Sequence, residues 1–144
     1  MPVKENKALA LRSIQEIWSE GNLDVVEEMF DPDYVYHEPY AGEIRGHEGL
    51  KQVVTMYRTG YPDLVFTSED IIAEGDKVVQ RWSCVGTHQG ELMGIPATGK
   101  RTTTMGINIV RFAGGKAVEE WTSWDALGWL QQLGVVPSMG QGEG

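Results

Sequence analysis

Apolar residues in the first half of the chain recur at the three- and four-residue spacing of amphipathic helices. This spacing predicts a helix over residues 3–20 and a short second helix over residues 23–30. Residues 34–38 are predicted to form a short strand and residues 39–46 a loop. A third helix is predicted over residues 47–59, where one stripe of apolar side chains follows the helical period.

The second half of the chain changes to the two-residue alternation of strands. Strands are predicted over residues 64–73, 77–88, 101–112 and 116–124, and a last helix over residues 126–133. Glycine-containing turns separate most of these strands, which favours antiparallel hairpins. The loop before the third strand contains both glycine and proline.

Helices followed by a meander of long strands predict an α+β fold. We expect a curved antiparallel or mixed sheet wrapped around the N-terminal helices, with a cone-shaped cavity between the two layers. Residues 1–137 are predicted to form a single domain, because neither a linker nor an internal repeat interrupts them. Residues 138–144 are predicted to be a disordered tail.

The composition and net charge limit the kinds of molecule and compartment that we expect for this protein. The 144 residues carry a net charge of -9 without a cluster of Lys and Arg, which argues against nucleic acid and anionic membranes. The single cysteine, Cys84, rules out an internal disulfide and suits a reducing compartment. The chain shows neither an apolar leader nor a run long enough to span a membrane. The sequence therefore predicts a cytoplasmic protein.

The stretch that ends at Asp125 is the first candidate for chemistry. Strand alternation places Trp121 and Asp125 on one face, and Trp124 adjoins the carboxylate. An ionised carboxylate is costly to bury beside indole rings, so such a group tends to keep its proton. We predict that Asp125 is a general acid/base at the bottom of an apolar pocket. The alternative is an N-cap for the helix that begins at Ala126, and both roles can coexist.

Two histidines are further candidates. His37 ends the short strand and could donate a hydrogen bond to a ligand carbonyl, or it could only satisfy nearby backbone groups. His88 ends the long strand and shares a face with Trp82 and Cys84. It could stand at the rim of a pocket or organise the following loop.

Five tryptophans in a chain of this length favour a pocket for a flat or aromatic ligand. The predicted apolar lining consists of Trp18, Tyr57, Trp82, Met105, Ile107 and Trp121. Each of these could equally be an ordinary core residue. The spacings typical of metal sites, phosphate loops and dinucleotide-binding turns do not occur, so the sequence predicts neither a metal nor a cofactor.

Several short motifs are similar to those of one known family. They are Tyr61-Pro62-Asp63-Leu64, Ala73-Glu74-Gly75-Asp76, Gly86-Thr87-His88-Gln89-Gly90, Gly94-Ile95-Pro96-Ala97-Thr98-Gly99-Lys100 and Glu120-Trp121-x-x-x-Asp125. Together they resemble the SnoaL-like polyketide cyclases, over nearly the whole chain from the first helix to Pro137. Ala97 departs from the usual second proline of its loop.

The resemblance implies the α+β cone of the nuclear transport factor 2-like superfamily. It implies closure of the last ring of an aromatic polyketide by an intramolecular aldol condensation, without a metal or an organic cofactor. By the motif, the catalytic aspartate falls on Asp125, while His37 and His88 are carried over less securely. The resemblance also implies a homodimer or homotetramer, with dimers formed through the outer face of the sheet.

Three hypotheses follow from the sequence. The first is a cofactor-free enzyme that performs proton-transfer or aldol chemistry on a small, apolar, polycyclic molecule. The second is a module that only binds a ligand or only dimerises. The third is a hydratase, isomerase or hydroxylase-type relative on the same scaffold.

Overall fold

The computed structural model describes residues 2–137. The disordered tail predicted over residues 138–144 lies outside these described residues. The helices are α1 (Pro2–Arg12), a π-helical segment (Ser13–Ser19), a 3₁₀ turn (Leu23–Val25), α2 (Val26–Met29), α3 (Gly46–Gly60) and α4 (Ala126–Leu133). Within the described range, each helix is too short or too polar to cross a lipid bilayer.

Six strands form one sheet in the order β2-β1-β6-β5-β4-β3. They are β1 (Phe30–Glu38), β2 (Gly42–Arg45), β3 (Val65–Glu74), β4 (Lys77–Thr87), β5 (Arg101–Ala113) and β6 (Lys116–Trp124). β1 runs parallel to β6, and the other neighbouring pairs are antiparallel. The predicted α+β class with a mixed, mainly antiparallel sheet is confirmed.

The sheet has an inner face, which the helices cover, and an outer face. Along β5, residues with even numbers from 102 to 112 point inward and are buried. The π-helical segment packs on β3, and α3 packs across β1. One apolar cluster, around Ile17, Tyr34 and Leu50, lies between these layers, and a smaller one around Tyr61 and Trp129 lies beneath α4.

The structure differs from the sequence-based prediction at β2, β1 and the first helix. β2 forms where a loop was predicted, because its backbone pairs with β1 from Val35 to Glu38 after a turn at Gly42, whose φ is +80°. β1 begins at Phe30 rather than at residue 34, with an irregular register up to Val35. The first predicted helix divides into an α-helix and a π-helical segment. The periodicity of the side chains does not show which strands pair or where a helix changes its hydrogen-bond pattern.

Candidate active site

A cavity opens between the inner face of the sheet and the N-terminal helices. Its empty space, including open solvent at the mouth, is about 1040 Å³. Aromatic and aliphatic side chains form most of the wall. The polar side chains among them include Glu38, Gln80, Thr104, Asn108, Glu120 and Thr122. A mostly apolar concave site with a few converging polar groups is typical of small-molecule sites.

The aromatic wall begins in the π-helical segment. The ring of Trp18 lies 6.1 Å from Tyr57 and 5.8 Å from Phe66, measured between ring centroids. Phe66 in turn lies 5.1 Å from Trp82. The structure thus places Trp18, Tyr57 and Trp82 in the cavity wall, as the sequence suggested. That they bind a substrate stays a prediction.

A glycine makes room for one of these rings. Gly106 lies opposite Trp82 in the pairing of β4 with β5. A Cβ atom added to Gly106 would lie 2.3 Å from Cζ2 of Trp82. The absent side chain therefore allows the indole to lie flat over the strand, and a glycine inside a strand often marks such a close approach.

Glu120 is a buried carboxyl group on the inner face of β6, and it lines the cavity. Oη of Tyr34 donates a hydrogen bond of 2.6 Å to Oε1, and Nδ2 of Asn108 donates one of 2.5 Å to Oε2. Burial raises the pKa of Glu120, and these two hydrogen bonds oppose the rise. A buried carboxyl with a raised pKa in a cavity is a candidate general acid/base.

The raised pKa of Glu120 makes folding depend on pH. Because the folded protein binds this proton more tightly than the unfolded chain, Glu120 contributes stability below its ordinary pKa of 4.5, and this contribution is lost as pH rises through the folded pKa. Each pKa unit of difference corresponds to about 1.4 kcal/mol. We expect Glu120→Gln to be more stable than the wild type at pH 8.

Urea unfolding of both proteins from pH 4 to pH 9 measures this effect. The difference between them separates Glu120 from the carboxylates whose pKa values are lowered and whose contributions have the opposite sign, which are Glu16, Glu27, Asp63 and Glu119. If the difference in unfolding free energy between the wild type and Glu120→Gln did not change with pH, the raised pKa of Glu120 would be contradicted.

Glu38 is a second buried carboxyl in the cavity wall, at the end of β1. Oε1 accepts hydrogen bonds from the backbone N–H groups of Tyr40 (2.8 Å) and Ala41 (2.6 Å). Oε2 accepts from Oη of Tyr57 (2.9 Å) and Nε1 of Trp124 (3.0 Å). Four donors occupy the lone pairs of this carboxyl, which leaves little room for a substrate proton.

His88 is completely buried but does not line the cavity. Its ring stacks on Tyr61 with centroids 5.5 Å apart, and Nδ1 accepts a hydrogen bond from the backbone N–H of Thr98. Its backbone groups bond to Lys100 and Gly99. The structure therefore supports the loop-organising alternative for His88, and direct contact with a substrate stays a prediction.

His37 lies on the outer face of the sheet, away from the cavity. Nε2 is 2.8 Å from Oε2 of Glu119, and the ring stacks on Trp121 with centroids 5.5 Å apart. Its neighbours Tyr36 and Glu38 take the inner positions of β1, so the side chain of His37 faces away from the cavity. A catalytic role for His37 stays an untested prediction without geometric support.

Asp125 is exposed and does not line the cavity. It caps α4, where Oδ1 accepts a hydrogen bond of 2.9 Å from the backbone N–H of Gly128. The N-cap alternative is therefore confirmed, whereas the predicted burial at the bottom of a pocket is wrong. Because the strand ends at Trp124, the carboxylate satisfies the first turn of the helix instead of continuing along the wall. The catalytic role of Asp125 stays an untested prediction.

Three residues predicted to line the pocket lie outside it. Met105, Ile107 and Trp121 point outward from β5 and β6, with 60%, 48% and 37% of their surface exposed. Trp121 shares the outer face of β6 with Glu119, and both contact His37. Alternation determines which residues share a face and leaves open which face the helices cover.

The sequence-based reasoning missed Glu38, Asn108 and Glu120. The available signal was parity on β5, where the outer positions carry Met105, Ile107 and Ile109 and the inner positions carry Thr104 and Asn108. This pattern reverses the usual rule that the apolar face of a strand is the buried one. Only the packing of the helices reveals the reversal.

Within residues 2–137, the His, Cys, Asp and Glu side chains do not form a group of three or more that could hold a metal ion. The polar groups of the cavity are carboxyl, amide and hydroxyl groups. They can move protons and hold a carbonyl or hydroxyl group of a ligand.

Comparison with known proteins gives consistent matches. The model of the family described as SnoaL-like polyketide cyclase matches residues 8–133. Aklanonic acid methyl ester cyclase DauD of Streptomyces sp. (strain C5) is 30% identical over 131 residues, which cover 86% of this chain and 79% of DauD. Nogalonic acid methyl ester cyclase of Streptomyces nogalater is 31% identical over 119 residues, which cover 79% of this chain and 87% of that protein.

Among solved structures, AclR from Streptomyces galilaeus, described as a candidate hydroxylase, is 30% identical and superposes with a TM-score of 0.83. The superposition covers 95% of this chain and 85% of AclR. Similarity in both sequence and structure therefore extends over most of the chain.

Proposed function

The chain belongs to the SnoaL-like polyketide cyclase family, and from this premise we propose that it closes a ring of a polyketide-type substrate by an intramolecular aldol condensation. The observation that carries the proposal is Glu120, a buried carboxyl with a raised pKa in the wall of a mostly apolar cavity. Burial favours the protonated form of this group, so it can hold a proton taken from a substrate and then return it.

The reaction needs only a proton carrier. Ionised Glu120 removes a proton from a carbon next to a carbonyl, and the C–H electron pair moves into the enolate. The enolate carbon attacks a second carbonyl carbon of the same molecule, forming a C–C bond as the π pair moves onto oxygen. Glu120 then returns its proton to this alkoxide. Because the product is an isomer of the substrate, neither an oxidant nor a reductant is consumed.

The aromatic wall supports the same proposal. A flat substrate packed against the wall formed by Trp18, Phe66 and Trp82 would be held in one orientation, with its reacting carbons close together. Correct orientation of reacting groups can lower a barrier by about 7 kcal/mol or more. Turnover by Glu120→Gln, with Asp125→Asn measured beside it, tests which carboxyl carries the proton.

The charges of the cavity wall favour a neutral substrate. Glu38 and Glu120 line the cavity, whereas none of the described wall residues is Lys, Arg or His. A substrate carboxylate would thus enter a site without a cationic partner, and burying an unpaired charge is costly. The two relatives named above are methyl ester cyclases, whose substrates carry a masked carboxyl group.

We expect an anthraquinone carboxylic acid to bind at least about tenfold more weakly than its methyl ester, a difference of about 1.4 kcal/mol. Isothermal titration calorimetry at pH 7.5 measures both affinities, and the unsubstituted anthraquinone controls for ring binding. Equal affinity of the acid and the ester would contradict the proposed selection for neutral substrates.

The outer face of the sheet supports the proposal of a homodimer. Met105, Ile107 and Trp121 form an exposed apolar patch there, and such patches are typical of interaction sites. His37 and Glu119 border it. A second copy pairing face to face would cover this patch, and a homotetramer would require a further interface.

We expect light scattering after size-exclusion chromatography to give twice the chain mass for the wild type. Ile107→Glu places a charge in the patch and should give the monomer mass. Thr55→Glu adds the same charge to an exposed position of α3, on the opposite side of the sheet, and serves as the matched control, which should remain dimeric. A monomeric wild type would refute the dimer.

The similarity to AclR favours a hydroxylase-type reaction as the second candidate function. Oxygen consumption in the presence of an accepted substrate distinguishes it from aldol closure, which consumes none. The predicted cytoplasmic location also stays a proposal, supported by the single Cys84 of the sequence.

A further inference from the structure

An unpartnered amide oxygen lies beside the proposed acid/base. Asn108 is buried on the inner face of β5, where its neighbours in register are Gln80 of β4 and Thr122 of β6. Oδ1 of Asn108 is shielded from solvent, and among residues 2–137 it has no hydrogen-bond partner. Buried polar atoms are nearly always hydrogen-bonded, so this atom requires an explanation.

The orientation of the Asn108 amide explains why Oδ1 lacks a hydrogen-bond partner. The oxygen and the NH₂ group of an asparagine have nearly the same shape, so a half-turn of the amide fits the same space. In the structure Nδ2 lies 2.5 Å from Oε2, an arrangement that suits an ionised Glu120, and Oδ1 is left over. When Oε2 of Glu120 carries a proton, that proton needs an acceptor, and a turned amide offers Oδ1. Nδ2 is then the group left over.

We propose that Asn108 is the residue that hydrogen-bonds the substrate oxyanion, and that its amide turns over whenever Glu120 gains or loses the substrate proton. The inference rests on the proposed acid/base role of Glu120. The turn of the Asn108 amide gives the site a hydrogen-bond donor that faces the substrate only while the substrate is negatively charged.

The order of events makes the turn useful. Before the reaction Glu120 is ionised, and Asn108 offers an oxygen that would repel an oxyanion. Once Glu120 has taken the α-proton, the enolate carries the negative charge. The turned amide then offers Nδ2–H to that oxygen, and afterwards to the alkoxide. When Glu120 returns its proton, the amide returns and the neutral product loses this hydrogen bond. Donors aimed at developing charge are a principal source of enzymatic rate enhancement.

Few other titratable groups face this site. Tyr34 of β1 is bonded to Glu120. Tyr36 and Glu38 of β1, Tyr57 of α3, Tyr61 after α3, and Cys84 of β4 also line the cavity. Burial raises the pKa of Cys84 to about 12 and moves the pKa values of Tyr34, Tyr36 and Tyr57 further from neutrality. Glu38 is therefore the group to be distinguished from Glu120 in a titration.

Nuclear magnetic resonance tests the turn directly. The side-chain amide protons of Asn108, assigned by their loss in Asn108→Leu, are followed from pH 5 to pH 9 with the carboxyl carbons of Glu120 and Glu38. We expect one Asn108 proton to lose its hydrogen-bonded downfield shift as Glu120 is protonated, with the same midpoint. Gln80 is the internal control, because its amide bonds to Ser68 rather than to a carboxyl. Unchanged Asn108 protons, or a midpoint that follows Glu38, would overturn the proposal.

Ligand binding provides a second test. Fluorenone accepts hydrogen bonds but cannot donate them, so its affinity reports whether Nδ2–H faces the cavity. We expect wild-type affinity to tighten roughly three- to tenfold as pH falls through the midpoint of Glu120. In Glu120→Gln, Oε1 still accepts the hydrogen bond from Tyr34, and the new NH₂ group donates to Oδ1 of Asn108. We therefore expect this variant to bind fluorenone with the tighter affinity at every pH. In Asn108→Leu the pH dependence should vanish.

If Asn108→Leu keeps the wild-type pH dependence, the charge of Glu120 alone explains the binding, and the amide turn is refuted. If Glu120→Gln binds as weakly as the wild type at high pH, the turn is likewise refuted. Neither measurement requires turnover. A failure here is therefore distinguishable from failure of the proposed cyclase function, which the turnover of Glu120→Gln reports.

Discussion

Glu120→Gln is expected to lower kcat by a factor of about 100 to 10,000 on any substrate that the wild type cyclises. Glutamine keeps the shape of the side chain and can still accept the hydrogen bond from Tyr34, but it cannot carry a proton between carbon and oxygen. Because the charge of a buried carboxylate is removed, the protein should fold at least as stably as the wild type. Loss of activity would therefore reflect chemistry rather than unfolding.

Two measurements refine this result. Asp125→Asn is the matched control, since it makes the same chemical change at an exposed helix cap, and it should retain most of the wild-type kcat. In the wild type, kcat/KM should rise with pH and level off above the pKa of Glu120, because the base must be ionised to act. An active Glu120→Gln together with an inactive Asp125→Asn would reverse the assignment and restore the prediction made from the sequence.

Glu38→Ala is expected to destabilise the fold by about 2–4 kcal/mol. The carboxylate accepts hydrogen bonds from Tyr57 of α3 and Trp124 of β6, so it connects three elements through two side chains at the cavity wall. Its removal would leave these two donors without a partner. The backbone donors of Tyr40 and Ala41 belong to exposed residues, where water can replace the lost acceptor. Part of this loss of stability is offset, because the variant no longer has to remove a carboxylate from water when it folds.

Urea unfolding at pH 7 measures this change. Glu43→Ala is the matched control, because Glu43 is an exposed glutamate in β2 whose ion pair within residues 2–137 is with the likewise exposed Arg45. Its loss should change stability by less than about 0.5 kcal/mol. If Glu38→Ala were as stable as Glu43→Ala, the network around Glu38 would not contribute to folding.

Most secondary structure was predictable because it depends on local periodicity. The strands predicted over residues 101–112 and 116–124 match β5 and β6 to within one residue. The helix predicted over residues 126–133 matches α4, whose end at Gly134 has a φ of +83° that glycine adopts without strain. β2 was missed because only its pairing with β1 defines it.

The candidate site was predicted less well. Trp18, Tyr57 and Trp82 were placed in the cavity wall from their abundance and spacing. Asp125 was predicted to be the acid/base because the adjacent tryptophans suggested burial. In the structure, Trp121 points outward and Trp124 donates its N–H group to Glu38. The tryptophans close to Asp125 in sequence therefore do not surround its carboxyl group in the fold.

The sequence by itself determined the types of element, their order and the family resemblance, because each depends on residues close together in the chain or on short motifs. Only the tertiary structure decided which face of the sheet became the wall of the cavity. Alternation is symmetric between the two faces, and the choice is made when distant helices cover one of them. The raised pKa of Glu120 has the same origin, because burial causes it and only the folded chain buries this carboxyl group. Even the hydrogen bond that opposes the rise comes from Tyr34, 86 residues away in the chain.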